Sequence, residues 1–399
     1  MWRQLVLSNE QDFHQELKSV VSGDFPGYHF DDFRNSLVFK GENISGVQRA
    51  FLTQFAEKWG GIMTGGSTSG KSNEQKILLA ISGYAFTQLI QSAIQEIVPE
   101  IAEMGKALAQ LNKQIRTVHW TFRLHDRNLQ LDRPLIMGIL NVTPDSFSDG
   151  GKYFSVEKAF ARAQEMISEG AHIIDVGGES TRPGSKPVPP REEWRRISKV
   201  IERLARESDC VISVDTCKSE IARRALENGA HIINDISAMT FDRHMADVVA
   251  EFKAPVILMH MKGTPGDMQK NPQYLNLMDE VYHFLQQRAE YAAANGIHQI
   301  IIDPGIGFGK RPEDNFELIR RLFEFRSLGY PLLLGPSRKS FIGFALGDAT
   351  LDRLPGTIAS VVLGVSNGAN ILRVHDVKET SRALNIATSI GALKANYPA

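Results

Sequence analysis

The sequence has few cysteines and no excess of charge. Only Cys210 and Cys217 occur among 399 residues, which excludes a disulfide framework and makes a cysteine-only metal site unexpected. Lysine and arginine total 45 against 46 for aspartate and glutamate, a formal net charge of −1. A general nucleic-acid-binding protein would carry a basic excess or stripe, so we expect no nucleic-acid partner.

Long hydrophobic runs are also missing. No apolar stretch approaches the roughly 18 residues that a transmembrane helix needs, so we expect no membrane association. The opening MWRQLVLSNEQDFHQELK lacks the charged-then-apolar profile of a signal peptide. With 42% hydrophobic and 23% charged residues, the composition is typical of a globular protein, and we expect a cytoplasmic enzyme.

Residues 1–117 predict a small α/β domain. Apolar residues recur at helical intervals over 45–59 and again over 87–115, where Pro99 interrupts the pattern. GGIMT and KILLAISGYAF are short apolar runs that could form strands. No motif assigns this domain a role, so packing, oligomerisation and regulatory binding all stay open.

Residues 118–399 predict a barrel preceded by a hairpin over 118–133, where two alternating runs flank the turn-prone HDRN. Eight runs rich in Val, Ile and Leu then alternate with amphipathic stretches. The runs are 134–143, 172–178, 211–216, 231–237, 255–261, 299–305, 331–337 and 370–376. Such runs are typical of strands buried on both faces of a parallel sheet, and eight β-then-α units predict a (β/α)₈ TIM barrel. An open doubly wound sheet is the structural alternative.

Each predicted strand ends in polar residues, at the end of a barrel where chemistry takes place. Asp215, Asn234 and Asp303 offer carboxylate and amide acceptors, which pair well with a flat, guanidine-like donor edge. An aminopyrimidinone ring, as in a pterin or a purine, has such an edge. The acceptors therefore predict a flat polar heterocycle as the ligand.

Cationic side chains follow other predicted strands and suit a phosphate or pyrophosphate group. They are Arg182, Lys339, Arg373 and His375. Asn141 offers an oxygen to Mg²⁺, which prefers oxygen ligands and is often completed by substrate phosphates. The residues thus predict a heterocycle that carries a phosphate ester.

The motifs at these strand ends resemble those of dihydropteroate synthases over about residues 118–395. In chain order they are GILNVTPDSFSDGG, IIDVGGESTRPGS, SVDT, INDIS, MHMKGTP, IDPGIGFGK, GPSRKSFIG and RVHDV. The resemblance implies an alkyl transferase of folate biosynthesis that joins 6-hydroxymethyl-7,8-dihydropterin pyrophosphate to 4-aminobenzoate and uses Mg²⁺. It also implies a sulfonamide target and a homodimer.

The resemblance assigns site residues by group. The implied pterin-binding residues are Asp215, Asn234, Met259, Asp303, Phe308, Gly335, Lys339 and Arg373. The implied pyrophosphate-binding residues are Asn141, Thr181, Arg182, Arg373 and His375, with Asn141 as the Mg²⁺ ligand. The implied 4-aminobenzoate-binding residues are Phe147, Pro183 and Ser340. The implied catalytic residues are Asp215, Asp303, Lys339 and Arg373.

Other features have simpler interpretations. GGSTSGKS at 65–72 matches the P-loop pattern, but the apolar run before it is short and no aspartate of this domain ends an apolar strand, so we favour a Gly/Ser loop. His260 has no second ligand at metal spacing and is expected to be structural. His172 and His231 begin predicted strands, away from the chemistry. Cys217 is expected to be inert.

Two rival functions stay open. A methyltetrahydrofolate–corrinoid methyltransferase shares a pterin-binding barrel but needs no pyrophosphate site, so the STRPG, SRKS and RVHDV motifs weigh against it. A non-catalytic pterin- or nucleotide-binding regulator built on such a barrel is the second rival. The expected site residues are all present, which favours an enzyme.

Overall fold

A computed structural model describes residues 1–21, 28–65, 75–143, 152–180, 184–185, 187–347 and 352–391. The chain divides into two compact units. The first unit is Met1–Thr117 together with Phe323–Gly329, and the second is Val118–Leu322 together with Tyr330–Ala399. Nothing in the sequence pattern indicates that Phe323–Gly329 packs with the N-terminal residues.

The first unit is built on a four-stranded antiparallel sheet in the order β1-β2-β4-β3. Its strands are β1 (Trp2–Leu5), β2 (Leu37–Ile44), β3 (Ile62–Gly65) and β4 (Gln75–Ile81). Its helices are α1 (Glu10–Val20), α2 (Phe30–Phe33), α3 (Gly46–Lys58), α4 (Gly83–Ile94) and α5 (Pro99–Arg116). The predicted small α/β domain is therefore confirmed.

Caps in the sequence fix where these helices begin. The hydroxyls of Ser45 and Ser82 accept the N–H groups of Gln48 (3.3 Å) and Ala85 (3.1 Å) at the starts of α3 and α4. Pro99 is the first residue of α5, where its missing N–H removes no helical hydrogen bond. The apolar run KILLAISGYAF is therefore only partly a strand. β4 ends just before the Ser82 cap, and the last residues of the run belong to α4.

Charged side chains lie inside the first unit. Lys40 Nζ lies 2.9 Å from Glu16 Oε2, and Arg3 Nη2 lies 3.5 Å from Oε1 of the same carboxylate. Arg3 Nε also lies 3.4 Å from Oε2 of Glu324, which comes from a 3₁₀ helix over Leu322–Leu328. All four side chains are buried. Removing one partner of such a buried pair typically costs about 3–5 kcal/mol, so this network ties Phe323–Gly329 to the sheet.

The second unit is an eight-stranded parallel sheet in the order β12-β11-β10-β9-β8-β7-β14-β13. Its strands are β7 (Leu135–Asn141), β8 (Ile173–Gly177), β9 (Val211–Asp215), β10 (Ile232–Asp235), β11 (Val256–Met259), β12 (Ile300–Asp303), β13 (Leu333–Leu334) and β14 (Ile371–Val374). Ile302 and Leu332 pair in parallel between the two ends of that order and bring the sheet round into a barrel. Each predicted run contains one of these strands, and the predicted TIM barrel is confirmed.

Helices follow the barrel strands along the chain. They are α6 (Lys152–Ser168), α7 (Pro190–Glu207), α8 (Ser219–Glu227), α9 (Met245–Phe252), α10 (Leu277–Ala294), α11 (Pro312–Arg320), α12 (Ser340–Leu346), α13 (Leu354–Ser366) and α14 (Val377–Ser389). Within the described parts of the chain, no helix has both the length and the apolar character needed to cross a membrane.

A hairpin of β5 (Trp120–Arg123) and β6 (Asn128–Leu131) packs at the amino-terminal end of the barrel strands. Phe122 and Leu131 share an apolar cluster there with strand residues such as Met137 and Ile173. This apolar floor fills one end of the barrel with side chains. The polar side chains lie at the opposite end of the barrel, which is formed by the carboxyl ends of the strands.

Two histidines cap strands at the same floor. His172 Nδ1 accepts the N–H of Ile136 at 3.1 Å, and His231 Nδ1 accepts the N–H of Ile212 at 3.0 Å. Burial lowers the pKa of both imidazoles, to about 4 for His231, which keeps Nδ1 free to accept. The roles of both histidines are structural, as the sequence predicts.

Candidate active site

The predicted acceptors lie at the carboxyl ends of three barrel strands. Asp215 and Asp303 are the last residues of β9 and β12, and Asn234 is the third residue of β10. All three side chains are buried. Asp235, next to Asn234, instead accepts N–H groups of its own turn, from Ser237 and Met239 at 2.8 Å each. Asn234 is therefore available to a ligand, whereas Asp235 is used by its own turn.

Arg373, on β14, joins two carboxylates at this end of the barrel. Its Nη2 lies 2.8 Å from Asp215 Oδ2, and its Nε lies 2.6 Å from Asp175 Oδ2. Burial opposes the guanidinium charge, but Asp175 and Asp215 outweigh it and raise the pKa of Arg373. Asp175 lies two residues before the end of β8, and the sequence assigns it no role because its partners come from strands distant along the chain.

Asp303 and Lys339 interact electrostatically at the same end of the barrel. Burial raises the pKa of the Asp303 carboxyl, while the nearby Lys339 favours the ionised form. Burial lowers the pKa of Lys339 to about 8, and Asp303 opposes that shift. The Lys339 ammonium donates to the Ile306 carbonyl, and Asp303 Oδ1 accepts the Gly305 N–H at 2.7 Å. The site therefore holds opposite charges side by side in a buried setting, where electrostatic interactions are strong.

An apolar wall lies beside these charges. Met259 and Phe308 belong to one buried cluster, together with Ile236 and Met268. Lys339 Nζ lies 4.6 Å from the centre of the Phe308 ring, so the wall and the cation meet. A methyl group added at Gly335 would lie within 4 Å of both Arg373 Cβ and Lys339 Nζ. The structure thus places the predicted pterin-binding residues Met259, Phe308, Gly335, Lys339 and Arg373 in a group with polar and apolar sides.

Asn141 ends β7 and is half-buried. Its neighbour across the strand pair is Gly177, where an added Cβ would lie 3.5 Å from Asn141 Oδ1. The missing side chain therefore leaves room beside this oxygen. Mg²⁺ prefers oxygen ligands and keeps several waters beside substrate phosphates, so an amide oxygen with free space next to it fits the ion.

His375 follows β14, and Ser337 orients its ring. Ser337 Oγ accepts the His375 backbone N–H at 3.1 Å and lies 3.0 Å from Nδ1. The direction of the second hydrogen bond depends on the tautomer of the imidazole. Together the two contacts fix the ring at the carboxyl end of β14.

Several predicted residues are placed less fully. Ser340 is the exposed first residue of α12, directly after Lys339. Phe147, Thr181, Arg182 and Pro183 lie outside the described residues, and so does the segment GGSTSGKS apart from Gly65. Their predicted roles stay predictions.

A buried lysine supports the wall residue Phe308. Lys310 Nζ lies 2.9 Å from His260 Nδ1 and donates to the carbonyls of Phe308 (3.0 Å) and His260 (3.3 Å). Burial lowers the pKa of His260 well below its usual value, so this imidazole is neutral and Nδ1 accepts a hydrogen bond from Lys310 Nζ. His260 is therefore structural, as predicted, while the role of Lys310 is visible only once the two loops are brought together.

A group of possible metal-binding side chains lies at the other end of the barrel. His125, Asp126 and His231 are the only described set of three such residues within reach of one ion. His231 Nδ1 already accepts a backbone N–H, so Nε2 carries the proton and donates to Asp126 Oδ1 at 3.2 Å. We therefore interpret these three residues as a hydrogen-bonded contact at the amino-terminal end of the barrel.

Near the active site, burial raises the pKa of the Cys217 thiol well above its usual value, in keeping with an inert cysteine.

A parallel barrel whose strand ends carry these acceptors and cations defines a class of heterocycle-binding enzymes, and comparison with known proteins identifies the class. Residues 137–375 match the family model of pterin binding enzymes. The dihydropteroate synthase of Synechocystis sp. is 46% identical over 261 residues, which cover 65% of this chain and 90% of that protein.

Solved structures are similar over the same part of the chain. A Yersinia pestis dihydropteroate synthase with a sulfonamide drug complex is 42% identical, with a TM-score of 0.65, covering 68% of this chain and all of that one. The Xanthomonas albilineans dihydropteroate synthase in complex with 7,8-dihydropteroate is 40% identical, with a TM-score of 0.62 and coverages of 68% and 99%. The chain belongs to the dihydropteroate synthase family.

Proposed function

We propose that the protein joins 6-hydroxymethyl-7,8-dihydropterin pyrophosphate to 4-aminobenzoate, forming 7,8-dihydropteroate and releasing pyrophosphate. A C–O bond to the pyrophosphate breaks, a C–N bond to the amine forms, and the amine loses one proton. The observation that carries this proposal is the buried group of Asp215, Asn234 and Asp303 beside Lys339 and Arg373. This group combines acceptors for a pterin edge with cations for its anionic substituent.

Recognition of the pterin rests on complementary hydrogen bonding. Buried carboxylates at Asp215 and Asp303 accept ring N–H and amino groups, and such bonds to charged groups contribute about 1.5–3 kcal/mol each. Lys339 donates to the carbonyl side of the ring. Met259 and Phe308 supply the apolar contact for its face. These residues hold the reacting methylene in place.

Pyrophosphate departs more easily when its developing charge is balanced. Arg373 and His375 lie at the carboxyl end of the barrel and donate hydrogen bonds to the pyrophosphate. We assign Thr181 and Arg182 to the same pyrophosphate-binding group. Mg²⁺, held by Asn141 and the phosphates, supplies further charge neutralisation when bound. The carboxylate of Asp303 or Asp215 stabilises the positive charge that departure leaves on the pterin methylene.

The second substrate needs little activation. The aromatic amine of 4-aminobenzoate is a nucleophile in its neutral form, so no strong general base is required. We assign its ring to Phe147 and Pro183 and its carboxylate to Ser340, which is exposed at the start of α12. Water excluded by these groups cannot compete for the methylene carbon.

The direct test is product formation from the two substrates, with and without Mg²⁺. We expect turnover that depends on Mg²⁺ and falls to background in Asp303→Ala, whose pterin affinity drops on the order of a hundredfold. Asp247→Ala, on an exposed part of α9, serves as the control and should match wild type. Near-normal turnover in Asp303→Ala would contradict the assignment.

Thermal shift separates the rival pterin chemistry. A synthase should be stabilised far more by dihydropterin pyrophosphate with Mg²⁺ than by methyltetrahydrofolate, because only the former engages the cations of the rim. The reverse order would favour a methyltransferase. Stabilisation by nucleotide alone would favour the P-loop interpretation of residues 65–72.

We further propose a cytoplasmic homodimer. Two free cysteines suit a reducing compartment. Exposed apolar side chains on the last helices of the barrel support a subunit interface, and they are Phe344, Leu363, Ile386 and Ile390. Sedimentation of the full chain tests the dimer, which Ile386→Asp should weaken.

A further inference from the structure

We infer that Asp175 is a positioning residue that fixes the orientation of Asn234 and Arg373 and so sets which atoms they present to the pterin. This inference rests on the proposed function, since both partners are assigned to pterin binding. Asp175 is fully buried in the middle of β8. It acts through the two side chains that it touches.

Asp175 determines how the Asn234 amide is turned. Asn234 Nδ2 donates to Asp175 Oδ2 at 3.0 Å. The opposite orientation would bring the amide oxygen against a carboxylate oxygen, which repels it. Asp175 thus fixes which side of the amide carries Nδ2. The amide oxygen on the other side is the acceptor that Asn234 can offer to a ring N–H.

Asp175 also holds one side of the Arg373 guanidinium. Arg373 Nε donates to Asp175 Oδ2 at 2.6 Å, while Nη2 donates to Asp215 Oδ2 at 2.8 Å. Two anchors on different strands fix the plane of the guanidinium group. With only one of them, the group can pivot about the remaining contact. The carboxylate of Asp175 therefore keeps Arg373 in the orientation that meets the ring and the pyrophosphate.

Both hydrogen bonds end on the same atom, which gives the inference a sharp test. Oδ2 accepts from Arg373 and from Asn234, whereas Oδ1 has no hydrogen-bond partner among the described residues. In Asp175→Asn, the amide oxygen can take the place of Oδ2 and keep both bonds without the charge. Asp175→Glu keeps the charge but moves the carboxylate by one methylene group.

A neighbouring residue provides a matched control. Ser213 lies opposite Asp175 on β9, is equally buried, and its hydroxyl has no hydrogen-bond partner among the described residues. Ser213→Ala therefore removes a buried polar group from the same layer without touching Asn234 or Arg373. Its pterin affinity should equal that of wild type.

The experiment measures the dissociation constant of dihydropterin pyrophosphate and the KM of each substrate in the full chain. Positioning predicts that Asp175→Ala weakens pterin binding on the order of tenfold to a hundredfold, because two bonds to polar and charged partners are lost. The KM for 4-aminobenzoate should stay within about twofold, since positioning acts on the pterin side only. Asp175→Asn should bind pterin within about fivefold of wild type and better than Asp175→Glu.

Three outcomes would overturn the inference. Asp175→Glu binding better than Asp175→Asn would show that charge, not position, matters. Equal losses in both KM values, or the same loss in Ser213→Ala, would show a general structural role. Should Asp175→Ala fail to fold, the order of the asparagine and glutamate variants still decides. If wild type itself does not bind dihydropterin pyrophosphate, the proposed function fails and not the positioning.

Discussion

Arg373 and Asp215 form an ion pair at the carboxyl end of the barrel, with 2.8 Å between Nη2 and Oδ2. The pair only partly offsets the cost of burying the carboxylate. Burial raises the pKa of Asp215 to about 7. The positive charge of Arg373 lowers this pKa, and the negative charge of Asp175 raises it. The Asp215 carboxyl of the ligand-free site therefore takes up a proton more readily than an ordinary aspartate does.

This relationship predicts a pH-dependent affinity for the pterin substrate. A protonated Asp215 cannot accept a hydrogen bond as a carboxylate does, so proton and pterin compete. Above pH 7 the Asp215 carboxylate is ionised and no longer limits affinity, whereas below pH 7 affinity falls by up to about tenfold per pH unit. Titration calorimetry from about pH 5 to about pH 8 measures the slope.

The matched variant is Asp215→Asn, which has nothing to titrate at this position. It should bind more weakly than wild type above pH 7 and show a flatter profile below it. Some slope remains, because burial also raises the pKa of Asp303. An unchanged profile in Asp215→Asn would place the titrating group elsewhere.

Lys310 predicts a pH dependence of stability. Burial lowers its pKa to about 7 from an ordinary value of 10.5. Between these values the unfolded chain holds a proton that the folded chain has lost, so stability rises with pH across this window, and below pH 7, where both states hold the proton, this contribution no longer changes. Lys310→Met removes this contribution. Urea unfolding at about pH 7 and about pH 9 should show wild type gaining stability relative to the variant. A constant difference between the two proteins would contradict the lowered pKa.

The barrel was predictable because its strands are locally distinctive. Runs such as PVILMHM and QIIIDPG are apolar up to the polar residue at which the strand ends, so the same pattern predicts both the strand and its end. Parallel strands then bring those ends to one rim. That is why the sequence alone predicts that Asp215, Asp303 and Arg373 share one site.

Roles that depend on contacts between distant strands could not be predicted. Asp175 is important because Arg373 and Asn234 both donate to its Oδ2. Ser337 is important because its hydroxyl lies beside the imidazole of His375. The buried charged residues of the first unit could not be predicted from the sequence either. Arg3 and Lys40 interrupt the apolar pattern of β1 and β2, and Glu16, which lies on α1, pairs with both of them.

Two glycines should respond differently to an added methyl group. At Gly335 the methyl would meet only ordinary contacts, so Gly335→Ala should fold normally but weaken pterin binding by crowding Arg373 and Lys339. At Gly305 the backbone has φ +72, and the methyl would collide with the His260 carbonyl oxygen. Gly305→Ala should therefore lower the melting temperature. Equal melting temperatures for the two variants would contradict this distinction.

The last prediction concerns the 3₁₀ segment Phe323–Gly329, which belongs to the first unit although it lies between α11 and β13 of the barrel sequence. Glu324 Oε1 accepts the N–H of Val6 at 3.0 Å, and Ser327 Oγ accepts the N–H of Gln4 at 3.1 Å. A chain that starts at residue 118 lacks these partners. It also leaves the Glu324 carboxylate without Arg3, its ion-pair partner.

We therefore expect a chain of residues 118–399 to be less stable and less soluble than the full chain, even though the family match begins at residue 137. Glu324→Ala in the full chain should lower stability by about 3–5 kcal/mol, because Arg3 is left buried without one of its partners. Replacing the exposed Glu103 of α5 by alanine is the control and should cost almost nothing. Chemical denaturation of the four proteins measures these differences. A truncated chain as stable and as active as the full one would show that residues 1–117 are a separable addition and that Phe323–Gly329 needs no partner.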